Sequence, residues 1–135
     1  MFKKIPQIRE FMTPMPHGIG SDISVKKARE MMSEYQVRHL PVRRAGKVIG
    51  IISDRNIKEL AGAGAMETLT AEDVMMPDPY HVSPETPLDE VAAAMAEEKY
   101  GCVVVEDSEK KLVGIFTTVD ACRALRQILE THYPS

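Results

Sequence analysis

Two hydrophobic periods alternate along this chain, and they recur twice in the same order. Residues 25–35 carry apolar or small side chains at Val25, Ala28, Met31, Met32 and Tyr35, the spacing of an amphipathic helix. Ser24 or Asp22 stands where its N-cap belongs. Residues 37–43 and 47–53 are dense in β-branched side chains, and Arg44-Ala45-Gly46 between them predicts a hairpin. Residues 54–61 predict a closing helix with Asp54 in its first turn. Ahead of these, residues 7–12 predict a short lead-in helix stopped by Pro14 and Pro16. Residues 17–20 then form a short extended piece whose apolar residue is Ile19.

The order repeats. Residues 71–76 lead in, His81-Val82 is a short strand, and residues 87–99 predict a helix opened by Thr86 ahead of Pro87. Residues 101–106 and 111–117 predict a second hairpin. A longer final helix runs from Thr118 to about Thr131, with Cys122, Leu125, Ile128 and Leu129 on one side.

A shift of 63 residues lays Met12-Thr13-Pro14-Met15-Pro16 over Met75-Met76-Pro77-Asp78-Pro79 and carries Met32, Glu34 and Val42 onto Met95, Glu97 and Val105. One extra residue in the second hairpin turn moves the shift to 64, and Lys47, Gly50 and Ile51 then fall on Lys111, Gly114 and Ile115. The chain is two copies of one strand–helix–strand–strand–helix unit. This predicts an α+β fold of two β-α-β-β-α repeats packed with pseudo-twofold symmetry and two related clefts. The expected boundaries are residues 1–62 for the first repeat with its lead-in helix, 63–70 for a linker, and 71–135 for the second repeat with its extended helix. One copy alone has too little core to be comfortable.

Composition narrows the function. A formal charge of −3 argues against a general nucleic-acid binder. No apolar run approaches the roughly 20 residues needed to cross a bilayer. The two lysines near the N-terminus have no following apolar region, so no signal peptide is expected and the expected location is cytoplasmic. Cys102 and Cys122 lack a CxxC spacing, and Cys102 reads as a small buried thiol. Gly62-Ala63-Gly64-Ala65 is a flexible joint without the Gly-Lys-Ser/Thr of a P-loop. His17, His39, His81 and His132 are scattered, with no metal-site spacing, and no nucleophile has an obvious partner. No enzyme, metal or resident cofactor is expected.

The most telling stretch is Gly114-Ile115-Phe116-Thr117-Thr118-Val119-Asp120, a strand turning directly into a helix with a hydroxyl and a carboxylate three residues apart. It recurs as Gly50-Ile51-Ile52-Ser53-Asp54-Arg55-Asn56, with an amide in place of the carboxylate. Together with the repeat, Met12-Thr13-Pro14 and Arg38-His39-Leu40-Pro41-Val42, these corners resemble a pair of CBS domains from about Ile8 to about Leu125. Pairs of this size include ones resembling acetoin-utilisation regulatory proteins. The resemblance implies a regulatory module that binds adenosine-containing ligands such as AMP, ADP, ATP or S-adenosylmethionine between the repeats, and that associates as a homodimer. A regulated protein partner would be separate. The resemblance also places contacts to the base at Thr13, Ile19, Val37 and Pro41, or at their counterparts Met76, Val82, Tyr100 and Val104.

Chemistry supports the corners as ribose sites. An ionised Asp120 can accept from both hydroxyls of a ribose, Thr117 adds a hydroxyl, and the helix N-terminus offers free N–H groups to a phosphate. The competing role for Asp120 is to bond the N–H groups of its own turn. At the Ser53/Asn56 corner the amide has a single acceptor atom. That corner should hold a ribose more weakly, by on the order of 1–3 kcal/mol. The cations gather in the first repeat, where Arg38, His39 and Arg55 are candidates for a phosphate; Arg43 and Arg44 read as a solvated hairpin turn. The alternative to a ligand-binding module is a dimerising scaffold with vestigial sites that uses its helix faces.

Overall fold

The computed structural model describes residues 4–60, 64 and 66–134. Apart from Gly64, the Gly62–Ala65 joint lies outside the described residues, as do the first three residues read for a signal peptide and Ala61 at the end of the expected closing helix. A 3-10 turn at Ile8–Glu10 precedes β1 (Thr13–Pro14), β2 (Ile19–Gly20), α1 (Val25–Tyr35), β3 (His39–Arg44), β4 (Lys47–Ser53) and α2 (Asp54–Lys58). Then follow α3 (Ala71–Val74), β5 (Met76–Pro77), β6 (His81–Val82), α4 (Leu88–Glu98), β7 (Cys102–Glu106), β8 (Leu112–Thr117) and α5 (Thr118–His132). Among the described residues, no helix is long and apolar enough to cross a membrane.

The chain divides into two compact units, whose limits differ from the repeat boundaries read from the sequence. The central unit is Pro16–Pro79; the terminal unit joins the residues up to Met15 to those from Tyr80 onward. The lead-in residues that open the first repeat in sequence thus pack in the unit that holds the rest of the second. Hydrogen bonding is the physical reason. Thr13 and Pro14 pair antiparallel with Ile115 and Gly114, while Met76 and Pro77 pair with Ile51 and Gly50. The Leu88 N–H at the start of α4 donates to Pro6 O and the Ile8 N–H to Thr86 O, both at 2.8 Å. Equivalent bonds in the central unit run from Val25 N–H to Leu69 O at 2.9 Å and from Ala71 N–H to Ile23 O at 2.8 Å. Each repeat's lead-in segment thus completes the other repeat's sheet and receives the opening of its helix.

The central unit has a four-stranded sheet in the order β2-β3-β4-β5, with β2 parallel to β3 and the remaining pairs antiparallel. Its core gathers Ile19, Val25, Ala28, Met32, Leu40, Val42, Ile52, Ile57 and Ala71. The terminal unit repeats the plan as β1-β8-β7-β6, around Ile8, Leu88, Val91, Met95, Val103, Val105, Phe116 and Ala124. Alternation along β7 and β8 places Val103, Val105 and Phe116 in that core. Val104 and Ile115, on the opposite face, are buried as well.

Local chemistry sets the ends. Ser24 caps α1, accepting from the Lys27 N–H at 3.1 Å. Thr86 does not cap α4: the N-cap is Pro87, whose ring has no polar atom to offer, and the Pro6 carbonyl accepts from the Leu88 N–H instead. Helices α1 and α4 stop at left-handed Gln36 and Lys99, with φ of 56° and 60°. The first hairpin turns on Ala45 and Gly46, both at positive φ, as a two-residue turn requires. Gly50 and Gly114 admit the exchanged strands. A Cβ on Gly50 would strike the Met75 sulfur and stand 2.7 Å from the Met76 carbonyl oxygen; one on Gly114 would strike the Met12 sulfur and stand 3.1 Å from the Thr13 carbonyl oxygen.

Candidate functional site

Each hairpin runs straight into a helix, and the corner between them is a capping box. Thr117 is the N-cap of α5, and its hydroxyl accepts from the Asp120 N–H at 3.4 Å. The Asp120 carboxylate reaches back: Oδ2 accepts from the Thr117 N–H at 2.9 Å and from the Thr117 hydroxyl at 3.1 Å. The first N–H groups of any helix lack intrahelical partners, so a hydroxyl and an acceptor three residues apart form this box for local reasons. Ser53 and Asn56 build the same box at α2. Asn56 Oδ1 accepts from the Ser53 N–H at 3.0 Å and from the Ser53 hydroxyl at 2.8 Å, and Ser53 Oγ accepts from the Asn56 N–H at 3.1 Å.

The corners differ in what else arrives. Asp120 Oδ1 accepts from the Thr13 hydroxyl at 2.9 Å and from Arg123 Nη1 at 3.1 Å. All four acceptor positions of the carboxylate are therefore filled, and Asp120 is 3% exposed. In the central unit Met76 pairs with Ile51 as Thr13 pairs with Ile115, and it has no hydroxyl to offer. The 64-residue shift puts Glu59 where Arg123 stands. Asn56 Nδ2 donates no hydrogen bond among the described residues.

This pairing corrects the grouping of the expected base contacts. Thr13 belongs with Val82, Tyr100 and Val104 in the terminal unit, and Met76 with Ile19, Val37 and Pro41 in the central unit, because their strands are exchanged. Ile19, Pro41 and Val104 are buried by packing, Val37 and Val82 are half-buried, and Met76 is exposed. Tyr100 stacks on Tyr80 with ring centroids 5.1 Å apart, and His17 stacks on Tyr35 at 3.7 Å.

The candidate phosphate residues divide in two. Arg38 and Arg55 are exposed and make no ion pair among the described residues, whereas Arg44 pairs with Glu72, and Lys58 with Asp54 at 3.0 Å. His39 is half-buried. Burial, helped by the neighbouring Arg38 charge and opposed by Asp54, holds its imidazole below the usual histidine range. It is a neutral hydrogen-bonding group near pH 7, not the cation expected from the sequence. Among the described residues, no three His, Cys, Asp or Glu side chains are grouped to hold a metal ion.

A duplicated unit with a capped strand–helix corner in each copy matches a known family along most of its length. The CBS domain family covers residues 8–62 and 71–127. The chain belongs to the CBS domain family. Its tandem CBS pair is similar to the Vibrio cholerae protein assigned to acetoin utilization (AcuB), with 28% identity, 98% of each chain covered and a TM-score of 0.85. It also resembles CBSX2 of Arabidopsis thaliana, a CBS-pair protein whose structure was solved in complex with AMP (29% identity, 90% of this chain and 97% of that one, TM-score 0.77). A third neighbour is the CBS domain pair of protein MJ0100 in complex with 5′-methylthioadenosine and S-adenosyl-L-methionine (26% identity, 92% and 98% covered, TM-score 0.83). The chain spans 24% of the length of each of two curated relatives it matches.

One residue of this CBS pair escaped the sequence reading. Arg123 lies one helical turn beyond Asp120, and that i,i+3 spacing is the signal that could have found it. Cys102 pairs across the ladder with Thr117. Burial, with the nearby Asp120 charge, pushes its thiol up to about 12.

Proposed function

We propose that this CBS pair is a regulatory module that binds an adenosine-containing nucleotide, with Asp120 and Thr117 as the ribose grip and Asn56 and Ser53 as a weaker counterpart. The observation that carries the reading is the buried carboxylate of Asp120 at the mouth of a helix, in a family whose members were solved with AMP and with S-adenosyl-L-methionine. Arg38 and Arg55 supply charge for a phosphate, and His39 contributes as a neutral donor or acceptor. Val37, Val82, Tyr100 and Met76 offer side chains to the base, while Ile19, Pro41, Val104 and Thr13 contribute backbone groups beside it. The module itself is non-catalytic, acts in the cytoplasm as a homodimer, and passes occupancy to a separate regulated protein.

Isothermal titration with AMP, ADP, ATP and S-adenosylmethionine tests this. At least one binds with a Kd below about 1 mM, a free energy of roughly −4 kcal/mol. A folded protein that binds none of the four ends the reading.

A dimerising scaffold is the second reading, favoured by the exposed apolar residues Val119, Leu125 and Leu129 on α5. It predicts the same elution volume in size-exclusion chromatography with and without nucleotide; a nucleotide-dependent shift argues for the module.

A further inference from the structure

We propose that Thr13 and Arg123 form a latch over Asp120, so that ligand occupancy of this corner and the seating of strand β1 oppose each other. The inference rests on the ribose reading above and gives it a regulatory consequence.

A ribose diol brings two donors, and the Asp120 carboxylate has no acceptor position free for them. Two existing bonds must yield. Those from Thr117 to Oδ2 belong to the capping box and are tied to a reciprocal bond at the start of α5. Those to Oδ1 come from less secured donors. Arg123 lies 68% exposed, at the end of a long side chain. Thr13 sits on a two-residue strand, both residues exposed, whose second residue is a proline with no N–H to give. Beyond its two ladder pairs, β1 is held to β8 by the Met15 N–H on Val113 O at 3.1 Å. Oδ1 is therefore the side that opens. Since Asp120 is nearly inaccessible, Thr13 must move for a ribose to reach it.

The central unit has no such latch. Met76 stands on the equivalent strand without a hydroxyl, and Glu59 replaces the arginine. The Asn56 corner lacks both outer donors, and only the Asp120 corner couples a ligand to the N-terminal segment.

The coupling reverses the usual effect of deleting a hydroxyl from a binding site. Thr13→Val, of nearly the same shape, removes one competitor for Oδ1. It tightens AMP binding about fivefold to tenfold, the fold-change for one hydrogen bond of about 1 kcal/mol. Thr13→Ser restores the hydroxyl and the original affinity. The test titrates AMP into the unmodified chain and both variants. It also follows exchange of the Met15 amide hydrogen with and without AMP, with urea midpoints confirming that all three fold. Tighter binding by Thr13→Val, wild-type binding by Thr13→Ser and faster Met15 exchange with AMP are the expected results. Weaker or unchanged binding by Thr13→Val, or Met15 exchange slowed or unchanged when AMP is bound, overturns the latch and leaves nucleotide binding intact. Absence of AMP binding in all three folded proteins removes the latch together with AMP as its ligand.

Discussion

Thr13 donates its hydroxyl to Asp120 at 2.9 Å across 107 positions of sequence. The bond joins the two motifs that mark each repeat, the Met-Thr-Pro lead-in and the strand–helix corner, but it joins the lead-in of one repeat to the corner of the other. It also places Asp120 under two demands at once, as a structural acceptor and as the proposed ribose ligand.

Those two demands separate in one substitution. Asn56 shows that an amide sustains the capping box, so Asp120→Asn keeps α5 capped while removing the charge that a ribose would use. It should lower nucleotide affinity roughly 10- to 100-fold, the loss of about 1–3 kcal/mol, and lower the thermal midpoint only through the bonds that Oδ1 accepts from Thr13 and Arg123. Asp120→Ala loses the box as well and should also destabilise the fold by about 1 kcal/mol. Titration calorimetry and thermal melts on the two variants measure both effects. Equal loss of affinity in Asp120→Asn and Asn56→Ala would remove the proposed difference between corners.

Gly114→Ala and Gly50→Ala should each cost about 1–3 kcal/mol in urea unfolding, because an exchanged strand lies against both glycines. The obstacles differ. At Gly114 the nearest atoms are the Met12 sulfur and Cγ, the latter at 3.0 Å, so Met12→Ala should recover part of the loss. At Gly50 the Met76 backbone carbonyl stands at 2.7 Å, and Met75→Ala should recover less. Double-mutant cycles on the two pairs distinguish them.

His39 makes stability sensitive to mild acid. Its folded-state pKa lies below the ordinary 6.5, so as pH falls the unfolded chain takes up the proton first. Above about 6.5 the group is neutral in both states. Below it, stability falls with pH until the folded-state pKa is passed. His39→Gln should flatten the melting temperature between about pH 7 and pH 5; an unchanged slope would assign the acid sensitivity elsewhere.

The two cysteines should react unequally. Cys122 is exposed, while the Cys102 thiol is pushed up to about 12, and the thiolate is the reactive form. A thiol-specific chromogenic reagent at pH 8 should label one cysteine quickly in the native protein and both in denaturant. Cys122→Ser should abolish the fast phase.

Much of this was legible in the residues. The 63-residue register, the helical period of α1 and the hydroxyl–acceptor spacing at both corners are local or periodic signals, and each corresponds to an observed element. The exchange of lead-in strands was not. Thr13–Pro14 and Met76–Pro77 are two residues each, too short to show alternation, and their partners are chosen by long-range pairing. The grouping of Thr13 and Met76 failed for that reason. The charge state of His39 was hidden too, because it depends on burial by its surroundings rather than on the adjacent arginine alone.

The exchanged strands also set the unit of duplication apart from the unit of folding. The copied segment begins at a lead-in, but a complete sheet is assembled only from pieces of both copies. Trimming the chain ahead of Met15 therefore strips the edge from the sheet that contains β8, far along the sequence, and spares the one next to the cut. Expressing a single repeat would leave a sheet one strand short, with an open edge seeking a donor. A chain of this design tolerates change at its hairpin turns far better than at the short segments before each repeat.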